Sequence, residues 1–335
     1  MGAACLPHGG DLIAARRLFP GAPEPFIDLS TGINPHSYPL PQLPPELFAR
    51  LPEPAALSRL AAVAARAYGA PSPDCVVPTP GMQIALPLVA GLVPPGRAVV
   101  LGPTYSEHIR VAALAGHDAR EVGDIADLKG ADLAVVVNPN NPDGRTVDRK
   151  TLLALADVQK KRGGLLVVDE AFMDVGLADT SLAGDVERGT IVVLRSFGKF
   201  FGLAGLRLGF ALASPEVAAR LAGFLGPWAV SGPAIAIGEA ALADTVWTDA
   251  TRASLRRDAQ RLDEMLTGAS TTVIGGTSLF RLVQTPVAEA LFHHLGRSGI
   301  FVRRFAEQPT WLRFGLPGNE EAWARLHAAL LVFPR

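Results

Sequence analysis

The sequence predicts an α/β protein with a mostly parallel central sheet flanked by helices, followed by a small α+β region. Short aliphatic runs, continuous as in strands buried on both faces, recur with helical segments between them. The chain has 335 residues, a length at which a large and a small domain are expected. Hydrophobic residues make up 49 % and charged residues 19 % of the chain, which excludes a disordered protein.

The first half of the chain predicts an N-terminal arm and then alternating strands and helices. Residues 1–50 form the arm, because the prolines between Pro35 and Pro45 are too dense for a helix interior or a central strand. A helix is expected over 55–68, ending at Gly69. Strands are expected at 98–101, 133–137, 165–168, 191–194 and 207–213, with a helix at 148–162.

The pattern changes after residue 214. Helices are expected at 215–225, 233–266, 286–296 and 320–331, the second of them broken or bent near Trp247, and strands at 271–274, 278–283, 300–303 and 311–314. We therefore predict a large domain over 51–245 and a small domain over 246–335 that packs with the arm.

Composition excludes several classes of protein. The 31 basic and 32 acidic residues nearly balance and form no basic run, which argues against a nucleic-acid partner. Cys5 and Cys75 are too few for a disulfide framework or a four-cysteine zinc site, and we expect free thiols in a reducing compartment. No HExxH motif occurs, so no metal site is predicted. There is neither a membrane-spanning apolar run nor a signal peptide, and a cytoplasmic protein is expected.

Two polar segments directly follow predicted buried strands, where open α/β sheets bind their ligands. Residues 138–144, NPNNPDG, carry three amides that could donate to an anionic oxygen, although the same residues are typical of a turn. Asp169 ends the strand at 165–168. It could cap a helix, or it could pair with a cation or a protonated ring nitrogen.

Two further segments carry a lysine and a glycine turn. Lys199 follows the strand at 191–194 in an apolar, glycine-rich setting; partial desolvation there would suit a Schiff-base lysine, whereas most lysines are simply exposed. Pro80-Gly81-Met82-Gln83 precedes a helix expected from Ile84, and a helix N-terminus can bind phosphate. The P-loop, Rossmann and α/β-hydrolase motifs do not occur.

Five runs in this order carry a family resemblance: PTPGMQ, GPTYSEH, NPNNPDG, VVDEAF and RSFGKFFGLAGLRLG. Together they resemble fold-type I pyridoxal 5′-phosphate (PLP) enzymes of the class I/II aminotransferase group, over nearly the whole chain. The resemblance implies the fold-type I PLP-dependent transferase fold, PLP as the cofactor, and a homodimer. A PLP-fold protein that binds without turnover is the more distant alternative.

The resemblance also implies roles for single residues. Lys199 would bind the cofactor covalently and then transfer a proton, Asp169 would pair with the protonated pyridine nitrogen, Asn141 would hydrogen-bond the ring 3-oxygen, and Tyr105 would stack on the ring. Four residues would surround the cofactor phosphate: Gly81, Met82, Ser196 and Arg207. Many members of the group have a tyrosine where this chain has Phe172.

Two branches of the group compete, histidinol-phosphate aminotransferases and the L-threonine-O-3-phosphate decarboxylases of cobalamin biosynthesis. Three features favour the decarboxylases: the start His8-Gly9-Gly10-Asp11, the run from Asp28 to Pro35, and Phe172. That branch usually has asparagine at position 11, which leaves the role of Asp11 open. We therefore expect decarboxylation of a small phosphorylated amino acid, with amino transfer to or from histidinol phosphate or a related substrate as the alternative.

The resemblance implies a substrate site in the two terminal regions of the chain. Arg313 would hold the substrate carboxylate, and the residues expected to bind the remainder are His8, Gly9, Gly32 and Arg303. Neighbouring residues of a strand point to opposite faces, so at most one of Arg303 and Arg304 faces this site. We expect Arg303 to face the site, because it matches the family position.

Overall fold

The computed structural model describes residues 8–269 and 271–333. Cys5, one of the two predicted free thiols, lies outside these residues. The chain divides into two compact units. One unit joins the N-terminal residues up to His36 to the C-terminal residues from Arg252, and the other runs from Ser37 to Thr251.

The described residues form twelve strands and twelve α-helices. The strands are β1 (Ile27–Leu29), β2 (Val76–Thr79), β3 (Arg97–Leu101), β4 (Asp118–Val122), β5 (Leu133–Val137), β6 (Leu165–Asp169), β7 (Ile191–Ser196), β8 (Gly209–Leu212), β9 (Thr272–Thr277), β10 (Phe280–Gln284), β11 (Ile300–Phe305) and β12 (Gln308–Gly315). The helices are α1 (Leu12–Leu18), α2 (Glu46–Ala49), α3 (Pro54–Tyr68), α4 (Met82–Ala90), α5 (Glu107–Leu114), α6 (Arg149–Arg162), α7 (Phe197–Phe200), α8 (Pro215–Leu225), α9 (Gly232–Ala243), α10 (Thr245–Gly268), α11 (Ala288–Arg297) and α12 (Glu320–Leu331).

The unit that runs from Ser37 to Thr251 is built on a seven-stranded sheet in the order β2-β8-β7-β6-β5-β3-β4. All strands are parallel except β8, which is antiparallel to both of its neighbours. The inner strands β5 and β6 are buried at every position, as their continuous aliphatic sequences predict. The predicted α/β class with a mostly parallel sheet is confirmed.

Two strands of this sheet, β2 and β4, have no counterpart in the prediction, and both are edge strands. β2 contains Pro78, and an edge strand tolerates a proline because one of its sides makes no ladder hydrogen bonds. β4 has the sequence DAREV, whose charged residues are typical of a solvent-exposed edge rather than of a buried strand. Hydrophobic runs therefore identify only the interior of the sheet.

The unit formed by the two terminal regions contains a five-stranded sheet in the order β1-β11-β12-β10-β9. β1 lies parallel to β11, and the other pairs are antiparallel. The prediction of an irregular arm was wrong in part, because α1, β1 and α2 all lie within the first 50 residues. These elements have seven, three and four residues, too few to show a hydrophobic period.

Two predicted helices have different limits in the structure. The break or bend expected near Trp247 in the helical segment 233–266 is confirmed as a break, because α9 ends at Ala243 and α10 begins at Thr245. The break lies at Asp244, whose Oδ1 accepts a hydrogen bond from the backbone N–H of Trp247 (2.9 Å), so Asp244 interrupts the run by capping α10. The helix expected from residue 286 begins at Ala288. None of the helices in the described ranges is long and apolar enough to cross a membrane.

Candidate active site

One edge of the seven-stranded sheet collects most of the predicted cofactor residues. Because β2, β3, β5, β6 and β7 are parallel, their carboxyl ends lie at the same edge, and the antiparallel β8 begins there. The segments at this edge carry the residues singled out by the motifs, namely Gly81, Met82, Tyr105, Asn141, Asp169, Ser196, Lys199 and Arg207. Residues far apart in the sequence thus share one edge.

Asp169 is the last residue of β6, and its carboxylate is buried. Its Oδ1 accepts a hydrogen bond from the backbone N–H of Ala171 (2.9 Å), and its Oδ2 lies 2.8 Å from Nε2 of His108. His108 is buried in the first turn of α5. His108 was not predicted as a site residue, although it ends the GPTYSEH run. The signal that could have identified it is a histidine in the first turn of a helix that begins beside the sheet edge. Asp169 therefore stabilises the turn after β6 and pairs with the imidazole nitrogen of His108.

The N-terminus of α4 and the Arg207 guanidinium meet at Gly81. The helix begins at Met82, two residues before the predicted start at Ile84. Gly81 has φ +86°, and a Cβ atom there would come within 2.7 Å of Nη2 of Arg207. The guanidinium therefore lies beside the N-terminus of α4, and both a guanidinium and the N–H groups of a helix N-terminus can bind a phosphate.

Ser196 and Gly209 lie next to these groups. With Gly81, Met82 and Arg207 they form what we call the phosphate cradle. Ser196 and Gly209 are register partners in the β7–β8 pair, so both lie at the sheet edge. A Cβ atom at Gly209 would lie 2.5 Å from the backbone nitrogen of Met82, so only glycine allows β8 to approach the start of α4 this closely. The four residues predicted to surround the cofactor phosphate (Gly81, Met82, Ser196 and Arg207) therefore belong to one set of adjoining segments.

Lys199 lies in the short helix α7, and its environment is the apolar one that its sequence predicts. Phe197 and Phe200 are fully buried, and the Lys199 side chain is half-buried. Its Nζ atom lies 5.9 Å from the centroid of the Phe172 ring. Phe172 thus offers the lysine an aromatic face and no hydroxyl.

The three asparagines after β5 have different environments. The buried Asn138 donates to the carbonyl oxygen of Val147 (3.2 Å) and accepts from its N–H (2.9 Å). The buried Asn140 donates to the carbonyl oxygen of Pro103 (3.0 Å) and accepts from Thr104 Oγ1 (2.5 Å). These two amides hold the loop in shape, which agrees with the turn that the same residues also predicted. Asn141 is half-buried at the sheet edge.

In the unit formed by the terminal regions, Arg303 and Arg313 face each other across β11 and β12. Residues directly opposite in an antiparallel pair point to the same face, so the two guanidinium groups share a face of the sheet. Burial, reinforced by the positive charge of Arg303 and opposed by Asp28, lowers the pKa of Arg313 to about 10. Arg304 lies on the other face, where its Nη1 is 2.9 Å from Oε1 of Glu289.

The N-terminal segment of the same unit reaches Arg313 through Ser30. Nη2 of Arg313 donates to the Ser30 carbonyl oxygen (2.8 Å), and the backbone N–H of Gly10 donates to Ser30 Oγ (2.8 Å). A Cβ atom at Gly9 would collide with the Ser30 carbonyl oxygen, which explains the glycine there. Asp11 caps α1, accepting at Oδ1 from the N–H of Ala14 (2.8 Å), so its observed role is structural. His8 is exposed and Gly32 is buried.

Comparisons with known proteins identify the family of this chain. The chain matches the family model "Aminotransferase class I and II" over residues 52–330. It is 44 % identical to the threonine-phosphate decarboxylases of Pseudomonas aeruginosa, over 98 % of both chains, and of a Sinorhizobium species, over 96 % of this chain and 97 % of the relative. A histidinol-phosphate aminotransferase of Mycobacterium tuberculosis is 34 % identical over 69 % of this chain and 65 % of its own.

Solved structures show the same fold at lower identity. The histidinol-phosphate aminotransferase of Sinorhizobium meliloti, in complex with PLP, has a TM-score of 0.80 at 22 % identity, over 97 % of this chain and 94 % of that structure. The L-threonine-O-3-phosphate decarboxylase of Porphyromonas gingivalis has a TM-score of 0.75 at 20 % identity, over 91 % and 98 %. The resemblance carried by the five runs is confirmed: the chain belongs to the class I and II aminotransferase family.

Proposed function

We propose that the chain binds PLP and decarboxylates L-threonine O-3-phosphate to (R)-1-amino-2-propanol phosphate, in cobalamin biosynthesis. The observation that carries this proposal is the nearly full-length similarity to two threonine-phosphate decarboxylases, which extends over the N-terminal segment. The similarity to histidinol-phosphate aminotransferases is lower and covers less of the chain. Amino transfer to or from histidinol phosphate is therefore the second candidate.

The residues at the sheet edge fit PLP. The positive φ of Gly81, the start of α4 and the guanidinium of Arg207 suit its phosphate, with Ser196 beside them. Asp169 offers a buried carboxylate to the ring nitrogen, and Lys199 offers the amine that binds the aldehyde. When bound, PLP supplies an electron-accepting ring that stabilises the electron pair left at the substrate Cα.

The chain's own residues would set the protonation states and the orientation of this chemistry. Asp169, held by His108, favours the protonated ring nitrogen because a nearby anion stabilises a cation. Lys199 would return a proton to Cα after carbon dioxide leaves. Tyr105 would stack on the ring. Asn141 would donate to the ring 3-oxygen, a task that Phe172 cannot share because it has no hydroxyl.

Two guanidinium groups on one sheet face suit a substrate with two anionic groups. Arg313 would bind the carboxylate and Arg303 the phosphate, with His8, Gly9 and Gly32 contributing nearby. Like charges directly opposite in a sheet are destabilising. The Arg303–Arg313 pair is consistent with a ligand that supplies further negative charge.

The bond that breaks separates the two candidate reactions. A decarboxylase loses the carboxylate from Cα, whereas an aminotransferase removes the Cα proton. Arg313 would favour one of these two reactions by fixing the orientation of the substrate carboxylate.

A single assay distinguishes these candidates. The protein is mixed with PLP and threonine phosphate in the absence of a keto acid, and carbon dioxide and aminopropanol phosphate are measured. We expect both products. No carbon dioxide release, together with amino transfer between histidinol phosphate and 2-oxoglutarate, would refute the decarboxylase proposal. Neither reaction, in a colourless protein that does not take up PLP, would favour a protein without turnover.

The lysine is tested by Lys199→Ala, with the exposed Lys150→Ala as its control. We expect Lys199→Ala to lose the absorbance band of the lysine-bound cofactor and the release of carbon dioxide, and Lys150→Ala to retain both. Retention of the band in Lys199→Ala would show that another amine holds PLP.

We further propose that the protein is a cytoplasmic homodimer. The family resemblance supports the dimer, and the small number of cysteines supports a reducing compartment. The large domain over 51–245 would carry the cofactor, and the arm (1–50) and small domain (246–335) would bind the substrate. Light scattering of the purified protein tests the dimer, and a mass of one chain would refute it.

A further inference from the structure

The Tyr105 hydroxyl belongs to a chain of hydrogen bonds between α5 and α4. It donates to Gln83 Oε1 (3.1 Å), and Gln83 Nε2 donates to Glu107 Oε2 (2.7 Å). Glu107 is buried, and its carboxylate accepts from Nε (2.9 Å) and Nη2 (2.6 Å) of Arg110. Neither Gln83 nor Glu107 has a role in the cofactor chemistry proposed above.

The charge of Glu107 decides the direction of every bond in this chain. A carboxylate paired with arginine only accepts hydrogen bonds, so Gln83 must present its NH₂ group to Glu107. The carbonyl oxygen of Gln83 therefore faces Tyr105, so in this bond the hydroxyl is the donor. Only one orientation of the Gln83 amide allows both hydrogen bonds. In that orientation the Tyr105 hydroxyl points its hydrogen at Gln83 Oε1.

The same network connects three parts of the candidate site. Gln83 lies in the first turn of α4, directly after the phosphate cradle, and Glu107 lies in the first turn of α5. His108, the next residue, pairs with Asp169 and contacts the Tyr105 ring edge-on, at a centroid distance of 6.0 Å and an interplanar angle of 84°. The Tyr105 ring is thus held at its hydroxyl and at its side.

We propose that Gln83 and Glu107 are positioning residues that hold Tyr105 in the orientation in which it stacks on the cofactor ring. The inference rests on the proposed function in that it assigns this tyrosine to PLP. Its physical content, the orientation of the Tyr105 ring, is a property of the protein without cofactor and can be measured separately.

The chain has three tyrosines, so each can be followed by carbon NMR after labelling at Cζ. Tyr105→Phe assigns the Tyr105 signal. We expect the Tyr105 signal of the cofactor-free protein to shift or broaden in Glu107→Gln, whose amide lets Gln83 turn over, and in Gln83→Leu, which removes the acceptor. The signals of Tyr38 and Tyr68 should remain unchanged, which also shows that each variant is folded.

Cofactor affinity is the second readout, measured by absorbance titration with PLP. Loss of one such hydrogen bond predicts a dissociation constant about tenfold higher in both variants. The matched control is Asp244→Asn, which alters the acceptor of the Tyr38 hydroxyl (3.4 Å) and keeps a capping side chain. This control should move only the Tyr38 signal and leave PLP affinity unchanged.

An unchanged Tyr105 signal in both variants would overturn the inference, as would wild-type PLP affinity in spite of a shifted signal. The two proposals fail separately. Loss of Tyr105 order and PLP affinity in a protein that does not decarboxylate threonine phosphate would refute the proposed reaction and support the positioning role.

Discussion

His108 Nε2 lies 2.8 Å from Asp169 Oδ2, and both side chains are buried. The substitution His108→Leu would remove the hydrogen-bond partner of Asp169 Oδ2. We expect the free energy of unfolding to fall by about 1–3 kcal/mol, the usual cost of an unsatisfied buried polar group. PLP affinity should fall as well, because Asp169 would no longer be held toward the ring nitrogen. Denaturant unfolding and absorbance titration measure the two effects.

The control for this prediction is His117→Leu. His117 is also buried, with Nε2 2.9 Å from the carbonyl oxygen of Ala90, but it does not contact Asp169. The His117→Leu variant should be less stable than the wild type, and its folded form should keep the wild-type PLP affinity. Equal losses of affinity in the two variants would mean that His108 acts only through stability.

Gly81→Ala tests the phosphate cradle. The backbone at Gly81 has φ +86° and ψ +147°, a region essentially restricted to glycine, so the substitution should cost about 1–3 kcal/mol of stability. Its Cβ would also displace the Arg207 guanidinium, since the two would be 2.7 Å apart. We expect PLP affinity, measured by titration, to fall at least about tenfold.

Gly69→Ala is the matched control, because Gly69 has φ +74° and open space around its Cβ position. It should cost about 1–2 kcal/mol and leave PLP affinity unchanged. If Gly81→Ala bound PLP as tightly as Gly69→Ala, the phosphate would have to lie elsewhere.

Arg303→Gln should weaken substrate binding, because Arg303 would hold one of the two anionic groups of the substrate. It lies directly opposite Arg313 in the β11–β12 pair. We expect a higher KM for threonine phosphate. Arg304→Gln, on the other face and paired with the exposed Glu289, should leave KM unchanged. An unchanged KM in Arg303→Gln would contradict the role of Arg303.

The buried Arg313 makes stability depend on pH. The pKa of Arg313 is lowered to about 10 in the folded protein, so between this value and its higher ordinary pKa the unfolded chain binds more protons. Stability from this group therefore rises with pH through that window, and the penalty of the buried charge is complete below it. Part of the lowered pKa comes from the positive charge of Arg303, so in Arg303→Gln this rise, measured by denaturant unfolding, should begin at a higher pH. A rise that begins at the same pH in both proteins would exclude this coupling.

Arg195→Met should be strongly destabilising. Arg195 is buried between Glu170 (2.9 Å) and Asp174 (2.8 Å), and its loss leaves two buried acids without their cation. Breaking a buried pair in this way costs about 3–5 kcal/mol. Burial already raises the pKa of Glu170, and without Arg195 this shift should grow. Chemical denaturation measures the loss.

The exposed Arg188→Met is the control for Arg195. Its ion pair with Asp157 (3.0 Å) is solvated, and removing it should change stability by no more than about 1 kcal/mol. Addition of Glu170→Gln to Arg195→Met should recover part of the lost stability, since one unpaired charge is removed. No recovery would indicate that packing, rather than charge, accounts for the loss.

The amino-acid sequence by itself determined the α/β class, the inner strands and the family. Inner strands such as β5 and β6 are aliphatic throughout because both faces are buried, so their sequences alone reveal them. The edge strands β2 and β4 lack this signal, because Pro78 interrupts the aliphatic run of β2 and the charged residues of β4 are largely exposed. The motif order also pointed to Asp169 and Lys199, since Asp169 ends β6 and Lys199 lies three residues after the end of β7.

Only the tertiary structure decided which side chains meet. The pairing of His108 with Asp169 and the link from Tyr105 through Gln83 to Glu107 join residues from different elements. Arg303 and Arg313 share a face because of the register between β11 and β12. Sheet order and register arise from packing of the whole chain, and local sequence patterns therefore do not predict them. The chemistry of each residue can therefore be inferred from the sequence, whereas its partner depends on the fold.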